Sequence, residues 1–217
     1  FNLEKTEAGF SRNIYRKVYP ASLTKRMTAV LALEYGSMNQ TVQMKEEDFD
    51  LDEGAQVSSL MPGDLVTMEQ LFHLLVIYSS NDAAMAIART VAGDVSSFVD
   101  MMNQRAKELS MTGTHFTNPT GLHDENMYTT AYDVYIMMLH AYSYQEYLNV
   151  SQMSEYTVEV SGSQNEPHTV YHTSTDQYLT NDRALPAGVR ILASKTGTTD
   201  PAGSCLALVV QNDYGVP

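Results

Sequence analysis

Cysteine is almost absent from this sequence, since Cys205 is the one cysteine among 217 residues. No disulfide can therefore form within the chain, which fits either a reducing compartment or a secreted protein whose core needs no cross-link. Cys205 begins an uninterrupted apolar run over residues 205–210. Such a run predicts a strand covered on both faces, so we interpret Cys205 as a buried, inert thiol rather than a nucleophile.

Basic residues are also scarce, with 13 Lys and Arg against 26 Asp and Glu, and the net charge is −13. This acidity argues against nucleic acid or an anionic membrane surface as a partner. The sequence has no apolar stretch long enough to cross a bilayer and no signal peptide, as in a processed protein or a trimmed chain. With 43% hydrophobic and 18% charged residues, the composition is that of a globular domain.

Residues 19–36 combine a helix start with two reactive side chains. Pro20 suits the first turn of a helix, and Gly36 closes the apolar run that follows. We therefore expect Ser22 at a helix amino terminus, where free backbone N–H groups favour negative charge. Lys25 follows three residues later and should lie on the same face. Because a lysine of lowered pKa can take the proton of a serine nucleophile, Ser-x-x-Lys is a candidate catalytic pair.

The middle of the chain is predicted to be helical. Thr67 begins a capping box, and further helices are expected to be capped by Asp82 and by Thr129 or Thr130. Each of these segments repeats apolar residues at helical spacing on one face, which indicates helices packed against a core.

The two ends of the chain are predicted to form the sheet. Residues 1–18 suggest a hairpin, and beyond about Asn149 apolar residues alternate at 156–160 and 189–193 as in strands. The order predicts an α+β fold with an antiparallel sheet built from both chain ends, flanked by helices. We expect one domain over 1–217, with an α/β lobe from about 1–30 and 155–217 and an inserted helical lobe from about 31–154.

Two further motifs extend the candidate site. Lys195-Thr196-Gly197 occurs once and is followed by Thr198, just after a predicted strand. Ser-x-Asn occurs three times, and the copies that begin at Ser37 and Ser163 lie in polar loops. The remaining copy lies at a short break between two strong helices, where side chains can be held rigidly toward a cleft. This copy is Ser79-Ser80-Asn81.

The three motifs in this order resemble those of the penicillin-binding, serine-type D-alanyl-D-alanine carboxypeptidases. Residues 118–122 and 130–133 also resemble the stretch that follows the second motif in that family. The resemblance runs through nearly the whole chain. It implies a β-lactamase/transpeptidase-like fold and a hydrolase that removes the terminal D-alanine from peptidoglycan stem peptides through an acyl-enzyme. It also implies covalent inhibition by β-lactam antibiotics such as penicillin.

The resemblance implies a role for each motif residue. Ser22 would be the nucleophile and Lys25 the base, while Ser79 would relay a proton to the leaving amine. Asn81 would hold Lys25 and the substrate amide, and the backbone N–H groups of Ser22 and Thr198 would form the oxyanion hole. The terminal carboxylate of the substrate would be bound at the third motif, which comprises Lys195, Thr196, Gly197 and Thr198.

The resemblance also sets expectations for cofactors, location and chain length. Water completes the reaction, so no metal or organic cofactor is expected, and the histidines show no zinc-binding spacing. The partners would be the peptidoglycan pentapeptide and β-lactams on the cell-wall side of the membrane, with possible anchoring by segments outside this chain. The family's catalytic domain normally continues with another strand and a helix, so we expect the carboxyl-terminal part to be truncated here.

Two alternative functions stay open at this point. A class A β-lactamase would need Glu-x-x-Leu-Asn, and residues 146–149 (Glu-Tyr-Leu-Asn) are one residue short of that pattern. The second motif also lacks the Ser-Asp-Asn form of those enzymes. A non-catalytic penicillin-binding sensor is the other alternative, although every catalytic group is present. Turnover of a D-alanyl-D-alanine peptide compared with turnover of a penicillin would separate the three functions.

Overall fold

The computed structural model describes residues 1–2, 8–162 and 166–215. The helices are α1 (Lys25–Tyr35), α2 (Met68–His73), α3 (Asn81–Ala92), α4 (Val95–Glu108), α5 (Ala131–Tyr142) and α6 (Gln145–Ser151). The strands are β1 (Thr41–Gln43), β2 (Asp64–Thr67), β3 (Glu155–Gly162), β4 (His168–Thr173), β5 (Val189–Thr199) and β6 (Gly203–Asn212). A 3-10 turn (Ala21–Thr24) precedes α1, another covers Glu46–Phe49, and a π-helical turn (Leu74–Tyr78) joins α2 to the Ser79 break.

Helix α1 forms the centre of the molecule. Every residue from 25 to 32 is buried, including the charged side chains of Lys25 and Arg26. Over these residues the helix packs against α3, α4 and α5 and has no face left for water, while its last turn ends at the exposed Tyr35. A helix that is buried all round holds its side chains in fixed positions, which makes it a rigid platform for the residues at its amino end.

Two separate antiparallel sheets flank the helices. The first has the strand order β1-β2-β3-β4, and the second pairs β5 with β6. In β3 the side chains of Val158 and Val160 face the core while their neighbours face water, as the alternating pattern predicts. The β5–β6 register shifts between Ile191 and Ala193 and then continues to Thr199 opposite Gly203. This long hairpin runs past the 3-10 turn that carries Ser22.

Most of the predicted element starts are confirmed. Thr67 accepts from the backbone of Gln70 in a reciprocal capping box, and Thr130 accepts from the backbone of Asp133. The mixture of helices with antiparallel sheets confirms the α+β class. The division into an α/β lobe and a helical lobe stays a prediction. Among the described residues, no helix has the length and apolar character needed to cross a membrane.

Three sequence predictions differ from the structure. Asp82 does not cap α3, because the helix begins at Asn81 and Asp82 therefore lies within its first turn. The Asp82 side chain is buried in the protein. The strand β6 is not covered on both faces, since Leu206 is 49% exposed. Within residues 8–18 the structure has turns and an isolated bridge from Val18 to Thr129 instead of a hairpin arm, and residues 3–7 lie outside the described residues.

Candidate active site

Ser22 lies on the 3-10 turn that feeds into α1, so the predicted helix start is confirmed with a tighter first turn than expected. Pro20 precedes this turn, and Ala21 has a φ of 49°, in the left-handed region. The sharp change of direction leaves Ser22 partly exposed while its neighbours Ala21, Leu23 and Thr24 are buried. The nucleophile candidate is thus presented by a rigid, buried turn.

The amine of Lys25 contacts Ser22 of its own motif and Asn81 of the second motif. Its Nζ atom lies 3.1 Å from Ser22 Oγ and 2.7 Å from Asn81 Oδ1. A third hydrogen bond of 2.6 Å joins Nζ to the backbone carbonyl of Thr120. Burial lowers the pKa of Lys25 to about 7, and the nearby negative charge of Asp82 opposes this shift.

The second motif turns sharply at Ser79. This residue adopts a left-handed conformation with a φ of 67° directly after the π-helical turn. Conformations of this kind cost about 1 kcal/mol or more in a residue with a side chain and concentrate at functional sites. Asn81 then opens α3, and its backbone and side-chain N–H groups both donate to the carbonyl of Gln56. This pair of bonds fixes the amide so that Oδ1 faces Lys25.

A buried carboxylate supports the second motif from behind. Asp82 is fully buried and accepts hydrogen bonds from the backbone and hydroxyl of Ser58 and from the hydroxyl of Ser80. These bonds tie the amino end of α3 to the segment that carries Gln56. Asp82 is therefore a structural anion of the site rather than a helix cap, because a carboxylate that is buried and fully hydrogen-bonded does not exchange its partners easily.

The lysine of the third motif is buried behind the residues that line the site. Lys195 is 3% exposed, and its Nζ donates to Ser79 Oγ at 2.7 Å and to the carbonyl of Thr196 at 2.8 Å. Burial is the main cause that lowers the pKa of Lys195, and the positive charges of Lys25 and Arg26 lower it further. The Thr196 hydroxyl is 2.6 Å from that of Thr175, while Thr198 is exposed at the site's edge.

The third motif passes close to the nucleophile candidate. A Cβ atom added to Gly197 would lie 2.7 Å from the backbone nitrogen of Ser22. No ordinary side chain fits at that distance, so the glycine permits the contact between β5 and the 3-10 turn. Gly197 belongs to the motif predicted from the sequence to bind the substrate carboxylate, and its close contact with Ser22 is an additional role that spacing alone does not reveal.

Sequence reasoning missed two contributors to the site. Thr120 supplies a backbone carbonyl, which no side-chain motif can report, although the turn residues at 118–121 are visible in the sequence. The side chain of Asn118 accepts from the backbone of Thr120 and Gly121, and a Cβ on Gly121 would be 2.0 Å from the carbonyl oxygen of Ala21. Thr175 lies in a loop, and no motif in the surrounding sequence indicates that it belongs to the site.

The candidate residues surround one cavity of about 560 Å³. Its lining includes Ser22, Ser79 and Asn81, together with residues 196–199 of β5. The rest comes from residues 54–56, 121–122, 175–178, 183 and 204–206. Lys25 and Lys195 lie just behind this lining. Glu146, the residue that a β-lactamase would need, is exposed on α6 and does not belong to it.

Ser37 and the two histidines of β4 are not part of this cavity. Ser37 is exposed in the loop after α1, and the copy of Ser-x-Asn at Ser163 falls on residues 163–165, outside those that the structure describes. His168 and His172 lie on β4, where His172 stacks on Tyr78. Across the described ranges, no group of three potential ligands could hold a metal ion.

Comparison with known proteins identifies the family. A family profile described as D-alanyl-D-alanine carboxypeptidase matches residues 10–214. The chain belongs to the D-alanyl-D-alanine carboxypeptidase family. Within this family, the chain is 31% identical over 201 residues to D-alanyl-D-alanine carboxypeptidase DacF of Bacillus subtilis, with 91% of this chain and 49% of DacF covered. It is 26% identical over 215 residues to the D-alanyl-D-alanine endopeptidase of Escherichia coli, which covers 90% of this chain and 64% of that enzyme.

Solved structures agree with this family assignment. The crystal structure of the Streptomyces K15 DD-transpeptidase superposes with a TM-score of 0.87 at 25% identity, over 96% of this chain and 81% of that chain. This similarity confirms the predicted β-lactamase/transpeptidase-like fold and the resemblance on which it rested. The chain spans about half the length of DacF, so the relative contains further sequence that has no counterpart here.

Proposed function

We propose that this chain carries the active site of a serine D-alanyl-D-alanine carboxypeptidase. Ser22 attacks the carbonyl carbon between the two terminal D-alanines of a peptidoglycan stem peptide. The bond to the leaving nitrogen then breaks, the leaving amine takes a proton, and an ester on Ser22 remains. Water hydrolyses this ester and frees the enzyme. The groups that support this proposal are all within the chain, and no step needs a metal or organic cofactor.

The observation that carries the proposal is the set of contacts around Lys25. An ammonium has three N–H donors, whereas a neutral amine has two and a lone pair. The carbonyl of Thr120 and Oδ1 of Asn81 can only accept, so they take two N–H groups. The third neighbour is a hydroxyl, Ser22 Oγ, which can donate to the lone pair of a neutral Lys25. This set of contacts supports Lys25 as the base that activates Ser22.

The leaving group is protonated by a relay through Ser79. Its hydroxyl lies in the cavity lining and accepts from Lys195 at 2.7 Å. Because the Ser79 oxygen accepts a hydrogen bond from Lys195, its own O–H group is free to donate to a basic nitrogen in the cavity. Ser79 thereby passes its hydroxyl proton to the leaving D-alanine and takes a replacement from Lys195, which donates to its oxygen. The proton that Lys25 removes from Ser22 balances the one that the leaving amine gains. Asn81 holds the substrate amide beside it.

The third motif recognises the carboxylate at the end of the substrate. The hydroxyls of Thr196 and Thr198 border the cavity, and Lys195 supplies positive charge from behind them. The backbone N–H groups of Ser22 and Thr198 receive the oxyanion, and each such donor is typically worth about 3 kcal/mol of barrier. Gly197 keeps these two segments close together. A free carboxylate requirement makes the enzyme an exopeptidase.

The partners and location follow from this chemistry. The substrate is the peptidoglycan pentapeptide, and β-lactams acylate Ser22 because they present a reactive amide next to a carboxylate. Peptidoglycan is assembled outside the cytoplasmic membrane, so the enzyme acts on the cell-wall side. Anchoring to the membrane would need segments outside this chain.

Two measurements test the proposal. Penicillin treatment followed by intact-mass analysis and peptide mapping should place one adduct on Ser22, and a D-alanyl-D-alanine peptide should release D-alanine. Ser22→Ala should abolish both, while the matched variant Ser37→Ala, at an exposed loop serine, should retain both. An adduct on Ser79 or Ser80, or D-alanine release by Ser22→Ala, contradicts the assignment. Penicillin turnover that exceeds peptide turnover would instead indicate a β-lactamase.

A further inference from the structure

Arg26 is a buried cation that the proposed reaction does not use. It is 1% exposed on α1, directly after Lys25. One guanidinium nitrogen donates to the phenol of Tyr147 on α6, and another donates to the backbone carbonyl of Ala207 on β6 at 3.0 Å. The third nitrogen, Nε, is buried without a hydrogen-bond partner. Across residues 1–2, 8–162 and 166–215, no carboxylate oxygen lies within ion-pair distance of this guanidinium.

Stability does not account for this arrangement. An arginine stays protonated under ordinary conditions, so its charge cannot be discharged by burial as that of a lysine can. A buried charge without an anionic partner is unfavourable, and an apolar side chain of similar volume is often as stable or more stable at such a position. The unfavourable free energy of burying Arg26 therefore points to a role other than stability.

The contacts of Arg26 connect the two halves of the site. Ala207, whose carbonyl accepts from Arg26, is the direct cross-strand partner of Lys195 in the β5–β6 pair. One side chain thus joins the helix that carries Lys25 to the strand position opposite Lys195. The buried charged side chains at the cavity are then three cations, Lys25, Arg26 and Lys195, and two carboxylates, Asp82 and Asp176.

We propose that Arg26 is a positioning residue for carboxylate recognition, which rests on the function proposed above. Its hydrogen bond to Ala207 holds the β5–β6 hairpin, and with it Lys195, against α1. Its fixed charge supplies one cation behind the third motif whatever the protonation of Lys25 and Lys195, and this cation favours an anion in the cavity. Arg26 acts through these residues and does not itself contact the substrate.

The test compares acylation by benzylpenicillin with acylation by its methyl ester, which lacks the negative charge. We expect Arg26→Met and Arg26→Gln to lower the preference for the free carboxylate about tenfold, as for removal of a charge some 10 Å away at an effective dielectric constant of about 20. Arg26→Lys should restore only part of the preference, because a buried lysine is a cation only while it stays protonated. Tyr147→Phe should change the preference little, since the charge of Arg26 stays.

A control variant removes a positive charge from the surface of β5, the strand that carries Lys195. Arg190 is exposed near the start of β5 and bonds to Gln211, so Arg190→Gln should leave the carboxylate preference unchanged. Equal slowing of both penicillins in Arg26→Met and Arg26→Gln, with the preference intact, overturns the proposal and assigns Arg26 to packing. Failure of both variants to fold while Arg26→Lys folds normally overturns it as well. If the wild-type enzyme is not acylated on Ser22, the proposed function itself fails.

Discussion

Gly197 on β5 faces the backbone nitrogen of Ser22 so closely that a Cβ atom on the glycine would lie 2.7 Å from it. The same atom would also approach the Cβ of Ala21 to 3.2 Å. Both neighbours belong to a buried turn and cannot move aside as the end of a flexible side chain could. The third motif therefore fixes where Ser22, the proposed nucleophile, lies, in addition to any contact that it makes with a substrate.

Replacing Gly197 by alanine should push β5 away from Ser22. A displacement of about 1 Å in a catalytic group can cost about 100-fold in rate, so we expect Gly197→Ala to slow acylation by benzylpenicillin roughly 10- to 100-fold. Gly9→Ala is the matched control, because a Cβ on Gly9 would meet no atom within 4 Å. Stopped-flow acylation rates test this, and a near-normal rate in Gly197→Ala would show that the contact can relax without cost.

The pH dependence of acylation should report Lys25. Its pKa is lowered to about 7 by burial, and only the neutral amine can accept the proton of Ser22. Below this pKa, Lys25 holds a proton, so the acylation rate should fall about tenfold per pH unit; above it, the rate should level off. The rate constant for acylation by benzylpenicillin, measured from pH 5 to 9, gives the midpoint.

Lys25→Arg separates proton transfer from charge at the same position. Arginine keeps a positive charge but does not release its proton, so we expect acylation to fall by about 100- to 10,000-fold. Circular dichroism and thermal unfolding should show that the variant folds. A variant that folds and acylates at a near-normal rate would mean that another group serves as the base.

Asp82→Asn should move the pH profile in a defined direction. The negative charge of Asp82 raises the pKa of Lys25, so its removal should lower that pKa and shift the midpoint of acylation to lower pH. The variant should also lose about 1–3 kcal/mol of unfolding free energy, because the hydrogen bonds from Ser58 and Ser80 lose a charged acceptor.

Asp100→Asn is the control for this prediction, since Asp100 is exposed on α4. It should leave both the pH midpoint and the denaturant midpoint unchanged. If Asp82→Asn destabilises the protein but leaves the pH midpoint in place, Asp82 has a structural role only and does not tune Lys25.

Much of the candidate site could be predicted from the sequence, because the proposed chemistry depends on side-chain type and spacing. Ser22 and Lys25 share one turn, so their contact could be predicted from three-residue spacing. The contact between Lys195 and Ser79 joins residues 116 positions apart. The family resemblance assigned both residues to one site, but neither it nor periodicity predicted this hydrogen bond. Whether each motif residue plays its expected role stays a prediction.

Other features depend on tertiary contacts that local patterns do not contain. Asp82 has the sequence signature of a helix cap, but Ser58 offers it a better set of donors from a distant loop. The apolar run of β6 predicts burial on both faces, yet Leu206 is about half exposed. The backbone carbonyl of Thr120 leaves no side-chain signal at all, although it contacts Lys25.

The preference for a free carboxylate should depend on Lys195. We expect a peptide that ends in D-alanyl-D-alanine to be hydrolysed with a higher kcat/KM than its carboxyl-terminal amide, because the amide leaves the charged donors without an anionic partner. Lys195→Gln should reduce the advantage of the free acid by about 10- to 100-fold, as expected for loss of one charge-assisted hydrogen bond. Arg183→Gln, an exposed cation on the cavity rim, is a matched control that should keep most of the advantage. Equal kcat/KM for acid and amide in the wild-type enzyme would exclude carboxylate recognition by Lys195, whereas an advantage lost in Arg183→Gln but kept in Lys195→Gln would place it at the rim.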